Sequence, residues 1–233
     1  MKKKFSSAKK RTILIVVAHA DDETIGMGGT ISKHNERGDD VFALSMTDGV
    51  SAREDSTRQD ADKRREAANL ASKILGFKWL AFGNFHDNQM DSEPLLSIIK
   101  FIEQAKSAIN PDIIYTHSNS DLNIDHRLTF QATLTAFRPE PSCEYRELRS
   151  FEVASSTEYS AGHVSNNFLP NYYVSIEQNW KKKISALKAY KREIKDYPHS
   201  RSLEAIENLA KYRGNQVGLK MAEAFQIIRK IER

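Results

Sequence analysis

The chain has 233 residues, of which 39% are hydrophobic and 28% are charged, and its formal net charge is +4. This length fits one domain, and the composition is that of an ordinary soluble globular protein. No apolar run approaches the roughly 18–20 residues that span a bilayer, so we expect no stable membrane insertion.

The first eleven residues, MKKKFSSAKKR, are basic and polar, and the apolar run behind them covers only residues 13–18. That run is shorter than the about 7–15 residues of a secretory signal. The single cysteine, Cys143, allows no intramolecular disulfide, which suits a reducing compartment. We therefore predict a flexible basic arm over residues 1–11, a single domain over residues 12–233, and a cytoplasmic location.

Much of the basic excess comes from residues 2–11 and from the run Lys181, Lys182 and Lys183 in the last third of the chain. Nucleic-acid binding would require a recognition motif or stacking aromatic residues as well, and we find none, so we expect no nucleic-acid partner. A solvated basic surface is the preferred interpretation, and a positive pocket for an anionic substrate such as a nucleotide sugar is the alternative. The oligomeric state is open, and a homo-oligomer is compatible with the sequence.

Strand-like and helix-like segments alternate along the first two thirds of the chain. Hydrophobic runs and periodicities predict strands at 12–18, 41–46, 79–82 and 113–116, and helices at 24–37, 58–75, 95–109 and 125–137. Later segments predict strands at 151–154 and 172–176, and helices at 184–190, 203–211 and 216–231.

This alternating order predicts an α/β fold, Rossmann-like, with a mostly parallel sheet and helices on both faces. In such sheets the ligand site lies beyond the carboxyl ends of the strands. We therefore expect the polar residues that follow the first four strands to meet in one cleft.

The segment Ala-His-Ala-Asp-Asp-Glu at residues 18–23 follows the first strand and opens a helix. His19 and Asp22 are three residues apart, so one helical turn can bring them to the same side. Asp21 then points elsewhere and is free for proton transfer. A lone His-x-x-Asp is weak evidence, because Asp is a routine helix N-cap.

A second histidine segment follows the fourth predicted strand, and His126 is its best candidate for a metal ligand. Together with His19 and Asp22 it would complete a set of two imidazoles and one carboxylate. A catalytic zinc uses three such ligands and an open position for water. Ferrous iron would fit the same ligands as well as zinc does.

Two motifs resemble those of the PIG-L/LmbE-like deacetylase family. AHADDE followed by GMGGT is similar to the family's AHPDDE signature, and DLNIDHR is similar to its H-x-D-H motif. The stretches YPHSRSLEAIENLAKYRG and GLKMAEAF also look like bacterial members. The resemblance covers about residues 12–229.

The resemblance implies a Rossmann-like fold and hydrolysis of N-acetyl groups on glucosamine-containing substrates. It implies that His19, Asp22 and His126 bind zinc and that Asp21 is the general base. The first histidine of H-x-D-H is Asn123 in this chain. Either Asn123 donates a neutral hydrogen bond to the oxyanion, or His117 fills that role, or turnover is lost.

Arg53 and Asp87 follow the second and third predicted strands and are candidates for contacts with substrate hydroxyl or phosphate groups. The glycines at 26, 28 and 29 fall inside a predicted helix, where close packing explains them better than a dinucleotide loop does. The prediction is a hydrolase of an N-acetylated sugar. A hydrolase of another N-acyl substrate and a non-catalytic sugar-binding protein are the alternatives.

Overall fold

The computed structural model describes residues 9–47, 49–52, 57–160 and 167–232. Within these ranges the strands form one seven-stranded sheet in the order β3-β2-β1-β4-β5-β7-β6. Strands β1 to β5 are mutually parallel, and β7 pairs antiparallel with both β5 and β6. The α/β fold with a mostly parallel sheet is therefore confirmed.

The strands are β1 (Thr12–Val17), β2 (Asp40–Thr47), β3 (Lys78–Phe85), β4 (Ile113–His117), β5 (Glu147–Phe151), β6 (Tyr172–Ser175) and β7 (Ala222–Lys230). The α-helices are α1 (Asp22–Glu36), α2 (Arg58–Leu75), α3 (Leu95–Ile109), α4 (Ile124–Ala136), α5 (Trp180–Ala189) and α6 (Leu203–Asn215).

The central strand β1 is buried on both faces, as its continuous apolar run predicts. Ile13, Ile15 and Val17 belong to one core cluster, and Leu14 and Val16 belong to the other. The first core packs under α1, α2, α5 and α6, and the second packs under α3 and α4. None of the helices in the described ranges is long and apolar enough to cross a membrane.

The predicted helix over residues 216–231 is wrong, because residues 222–230 form strand β7. Helix α6 continues instead to Asn215, and Gly218 turns the chain with a φ of +71° that favours glycine. β7 fills the gap between β5 and β6, and pairing with two neighbours outweighs the helical pattern of its sequence. The strand predicted at residues 151–154 corresponds to β5, which begins earlier and ends at Phe151.

Helix α1 packs closely on the sheet through its glycines, in agreement with the sequence interpretation. A Cβ atom on Gly26 would lie 2.4 Å from the Phe151 ring, and one on Gly29 would lie 2.7 Å from Ile176. The helix is kinked at Met27, where φ is −145° and ψ is 22°. These contacts place the amino end of α1 at the carboxyl end of the sheet.

Two residues in the last third of the chain, Arg213 and Glu223, form ion pairs. Arg213 contacts Glu152 with two nitrogens, at 2.7 and 2.6 Å. Glu223 pairs with the buried Lys183 at 2.7 Å and accepts the amide N–H of Gly29. The Glu223 carboxylate therefore provides an acceptor for a backbone N–H group beside the kink in α1.

Candidate active site

His19, Asp22 and His126 lie together at the carboxyl end of the sheet, and all three are buried. His19 follows β1, Asp22 is the first residue of α1, and His126 lies in the first turn of α4. The Asp22 carboxylate accepts the backbone N–H of His19 at 2.9 Å, which closes the turn between strand and helix. The turn therefore presents the ring and the carboxylate on the same side.

The three predicted ligand atoms form a nearly equilateral triangle. His19 Nδ1 is 3.2 Å from His126 Nε2, and Asp22 Oδ2 is 3.3 Å from each of these nitrogens. A tetrahedral zinc ion with ligands at about 2.0–2.1 Å separates its ligand atoms by roughly 3.3–3.4 Å. The triangle therefore has the size of one face of such a site.

The outer nitrogens of both imidazoles face carboxylates. His19 Nε2 lies 3.0 Å from Asp87 and 3.2 Å from Asp125, and His126 Nδ1 lies 3.1 Å from Asp121. A carboxylate requires a donor opposite it, so in the neutral rings these outer nitrogens carry the hydrogen. The lone pairs of His19 Nδ1 and His126 Nε2 then point into the triangle.

A cation is the natural partner for such a cluster. Two imidazole lone pairs and a carboxylate oxygen at these separations repel one another unless a positive charge lies between them. The second oxygen of Asp22, Oδ1, is buried and has no hydrogen-bond partner in the described part of the chain. The donor set of two nitrogens and one oxygen fits zinc or ferrous iron.

Protons would occupy this cluster in the metal-free protein. Burial lowers the pKa of His126, but the charges of Asp22 and Asp121 outweigh burial and raise it to about 9. Burial also lowers the pKa of His19, yet hydrogen bonds to Asp125 and Asp22 raise it well above 6.5. Burial raises the pKa of Asp22, but His126 and His117, which both face its carboxylate, lower it well below its usual value.

We expect metal binding near pH 7 to release protons. The pKa of His126 is raised from 6.5 to about 9, so the metal-free ring holds a proton at pH 7 that a metal must displace. Apparent metal affinity should rise with pH up to about 9. The proton stabilises the metal-free fold below about pH 6.5, and this contribution is lost as pH rises through 9. Isothermal titration calorimetry in buffers of different ionisation enthalpy measures the number of protons released on metal binding. A binding heat that is the same in every buffer would contradict the expected proton release.

Asp21 is buried beside the triangle and faces two guanidinium groups. Arg64 Nη2 lies 2.8 Å from Asp21 Oδ1, and Arg201 Nη1 lies 3.5 Å from Oδ2. Arg64 also donates to the carbonyl of Ala20 at 2.7 Å and pairs with Glu193. Burial raises the pKa of the Asp21 carboxyl, and the charge of Arg64 opposes that increase. A carboxyl with a raised pKa is suited to accept and return a proton.

His117 is fully buried and stacks on His126, with ring centroids 3.8 Å apart. Its Nε2 accepts the backbone N–H of Ala18 at 2.8 Å, so Nδ1 carries the hydrogen in the neutral ring. Burial lowers the pKa of His117 to about 4, so the ring is neutral at pH 7. Its side chain supports the ring of His126 from the interior.

Asn123 is the N-cap of α4, and its Oδ1 accepts the N–H of Asp125 at 2.8 Å. It is only partly buried and lies three residues before His126. Asp87, predicted to contact substrate, lies against His19 and is nearly buried. Arg53, the other predicted substrate contact, lies outside the described residues.

Three contact residues of the site were not singled out from the sequence, namely Asp121, Asp125 and Arg64. The two aspartates lie in the same short segment as His126, so a search for carboxylates beside candidate metal-binding histidines could have found them. Arg64 lies on α2, and no local pattern links it to Asp21.

Replacing Asp125 by Asn should weaken metal binding about 10–100-fold. The Asp125 carboxylate accepts the N–H groups of Asn88 at 2.7 Å and Met90 at 3.0 Å as well as facing His19, and an amide cannot satisfy all three donors. Competition with a chromogenic chelator measures the affinity. Asp91→Asn, at an exposed position, is the matched control. Equal metal affinities of the two variants would contradict the role of Asp125 as the partner that supports His19.

The family model for PIG-L, GlcNAc-PI de-N-acetylase, matches residues 14–137, which is more than half of the chain and includes His19, Asp22 and His126. The chain belongs to the PIG-L family. Its relatives include an Escherichia coli K12 protein called uncharacterized deacetylase YaiS, 29% identical over 80% of this chain and 94% of that protein. The diacetylchitobiose deacetylase of Thermococcus kodakarensis is 27% identical over 96% of this chain and 85% of that one.

The same fold also occurs in a protein whose described reaction is not a deacetylation. The crystal structure of GalB, a 4-carboxy-2-hydroxymuconate hydratase from Pseudomonas putida KT2440, matches with a TM-score of 0.75 and 22% identity over 96% of this chain and 99% of that one. At this identity the likeness establishes the fold alone. The shared fold therefore does not identify the substrate.

Proposed function

We propose that this PIG-L family protein is a zinc-dependent deacetylase that hydrolyses the acetamide of an N-acetylated amino sugar to acetate and a free amine. The observation that carries the proposal is the triangle of His19, Asp22 and His126 ligand atoms beside the buried carboxylate of Asp21. Ferrous iron is the alternative metal, since it accepts the same ligands.

His19, Asp22 and His126 would hold the ion. When bound, the metal supplies a Lewis acid that polarises the acetamide carbonyl and makes water a better nucleophile near neutral pH. Asp21 accepts the proton of the attacking water and returns it to the nitrogen of the leaving amine. Arg64 and Arg201 hold the Asp21 carboxylate in place during both transfers.

The developing oxyanion also needs a donor from the protein, and the contacts favour Asn123 over His117. His117 is enclosed, its Nε2 is occupied by the N–H of Ala18, and its Nδ1 is buried. Asn123, by contrast, is partly exposed, lies three residues before His126, and carries an amide that donates without a charge.

The substrate proposal rests on the family and on the relatives' names. The relative in T. kodakarensis is a diacetylchitobiose deacetylase, and a Bacillus cereus relative is a probable N-acetyl-alpha-D-glucosaminyl L-malate deacetylase. Both names describe an acetamide on a glucosamine unit. We propose the same class of substrate here, with Asp87 and Arg53 as further candidates for contacts with it.

The test is acetate release from a panel of N-acetyl amino sugars by protein loaded with zinc or, under anaerobic conditions, with ferrous iron. We expect stoichiometric acetate and amine from at least one sugar. Release of a longer acyl group, with no acetate from any sugar, would point to another N-acyl substrate. Sugar binding without any amine product would show a non-catalytic binding protein and overturn the proposal.

A further inference from the structure

Asn88 is an exposed residue beside Asp87 and Asp125, between β3 and the short turn that begins at Met90. Its φ is +55°, a conformation that Asn tolerates better than other residues with side chains. Its backbone N–H donates to Asp125 Oδ2 at 2.7 Å, which ties it to the partner of His19. The backbone is therefore anchored to the buried network, while the side chain reaches the surface.

The side chains of Asn88 and Asn123 form a hydrogen-bonded chain with fixed ends. Asn88 Nδ2 donates to Asp87 Oδ1 at 3.1 Å, and Asn123 Nδ2 donates to Asn88 Oδ1 at 2.7 Å. At the far end, Asn123 Oδ1 accepts the N–H of Asp125 at 2.8 Å. The chain thus runs from a carboxylate through two amides to a backbone N–H.

The two ends determine which way both amides face. The N–H of Asp125 can only donate, so the oxygen of Asn123 must face it. The carboxylate of Asp87 can only accept, so the nitrogen of Asn88 must face it, and its oxygen then faces Asn123. A 180° rotation of either amide would oppose two donors or two acceptors.

This arrangement leaves Asn123 with one free donor. Its Nδ2 carries two hydrogens, and Asn88 uses one of them. The second has no partner in the described part of the chain. We infer that Asn88 is a positioning residue that orients the Asn123 amide, so that its remaining N–H is held ready for the oxyanion of the substrate.

The inference rests on the proposed function, since it explains how the Asn123 amide proposed there as the oxyanion donor is oriented. It also goes beyond that function, because Asn88 itself need touch no substrate. Orientation before the reaction is what makes a hydrogen-bond donor effective in catalysis.

Asn88→Gly is the sharpest variant, because glycine adopts a φ of +55° without strain and removes only the side chain. We expect kcat for the best sugar to fall about tenfold while KM changes by less than about twofold, as for the loss of a transition-state interaction. Bound metal should stay at the wild-type level. A KM increase with unchanged kcat would overturn the inference.

A double-mutant cycle separates this role from a general structural one. Asn123→Ser keeps a helix N-cap and adds no charge, but it removes both amide hydrogens. In the Asn123→Ser background, Asn88→Gly should cost no further activity, because it acts through the group already removed. Equal losses in both backgrounds would show that Asn88 acts elsewhere, for example through Asp87, and would overturn the inference.

A measurement without substrate keeps the two proposals apart. The side-chain NH₂ resonances of Asn123 are identified by their absence in Asn123→Ser. In the wild type we expect one proton shifted downfield by its bond to Asn88, and in Asn88→Gly we expect that shift to disappear. Unchanged resonances would overturn the inference even if the enzyme deacetylates sugars. If the downfield shift disappears in Asn88→Gly but the wild-type protein hydrolyses no acetamide, the result would support the orientation of Asn123 and count against the proposed function.

Discussion

Asp21→Asn should lower kcat for sugar deacetylation by about 10²–10⁴-fold, the usual contribution of a group that moves a proton in the transition state. The amide has the shape of the carboxylate and still faces Arg64, but it cannot take a proton from water. Asp21 is not one of the three candidate metal ligands, so metal content should stay near the wild-type value. Acetate release and elemental analysis on the same preparations measure both effects.

Asp62→Asn makes the same substitution at an exposed position of α2 and serves as the control. It should leave turnover and metal content unchanged. Because Asn at position 21 removes one of the anionic partners of Arg64 and leaves Glu193, thermal unfolding should also be recorded. A folded, metal-loaded Asp21→Asn protein with near-normal kcat would exclude Asp21 as the base.

His126→Ala should remove both the bound metal and the activity. His126 supplies one of only three proposed ligand atoms, so its loss should cost more metal affinity than the about 10–100-fold expected for losing a ligand's hydrogen-bond partner. The side chain also fills space against His117, so His126→Asn provides a smaller structural change. Metal per chain after dialysis against a weak chelator is the measurement.

His86→Ala is the matched control for this experiment, because His86 is an exposed histidine that follows β3 in the same region. It should retain metal at the wild-type level. If His126→Ala and His126→Asn both kept a full equivalent of zinc at the original affinity, the ligand set would have to be assigned to other residues, with His19, Asp87 and Asp125 as the next cluster.

Local sequence predicted the helices and parallel strands that build the site. The apolar run of β1 and the periodicity of α2 and α3 identify their elements, since a strand buried on both faces and an amphipathic helix each have a distinctive pattern. The sequence also predicted the meeting of His19 with His126, because the carboxyl ends of neighbouring parallel strands lie at one edge.

Pairing between distant segments decided the rest. Residues 222–230 have a helical pattern, and they form β7 because two strands offer hydrogen bonds on either side. In the same way, the packing of α2 against α5 brings Arg64 to Asp21 and Glu193. Neither outcome has a local signal, because each depends on a partner far away in the chain.

The sequence by itself determined the chemistry that is available: two imidazoles and two neighbouring carboxylates placed at strand ends. Tertiary structure alone decided how these groups are protonated and oriented. Asp121 and Asp125 select the imidazole nitrogens that face the triangle, and Asn88 meets the amide of Asn123. Tautomers and amide orientations follow from what each atom faces across space, and such contacts are set only when the fold is complete.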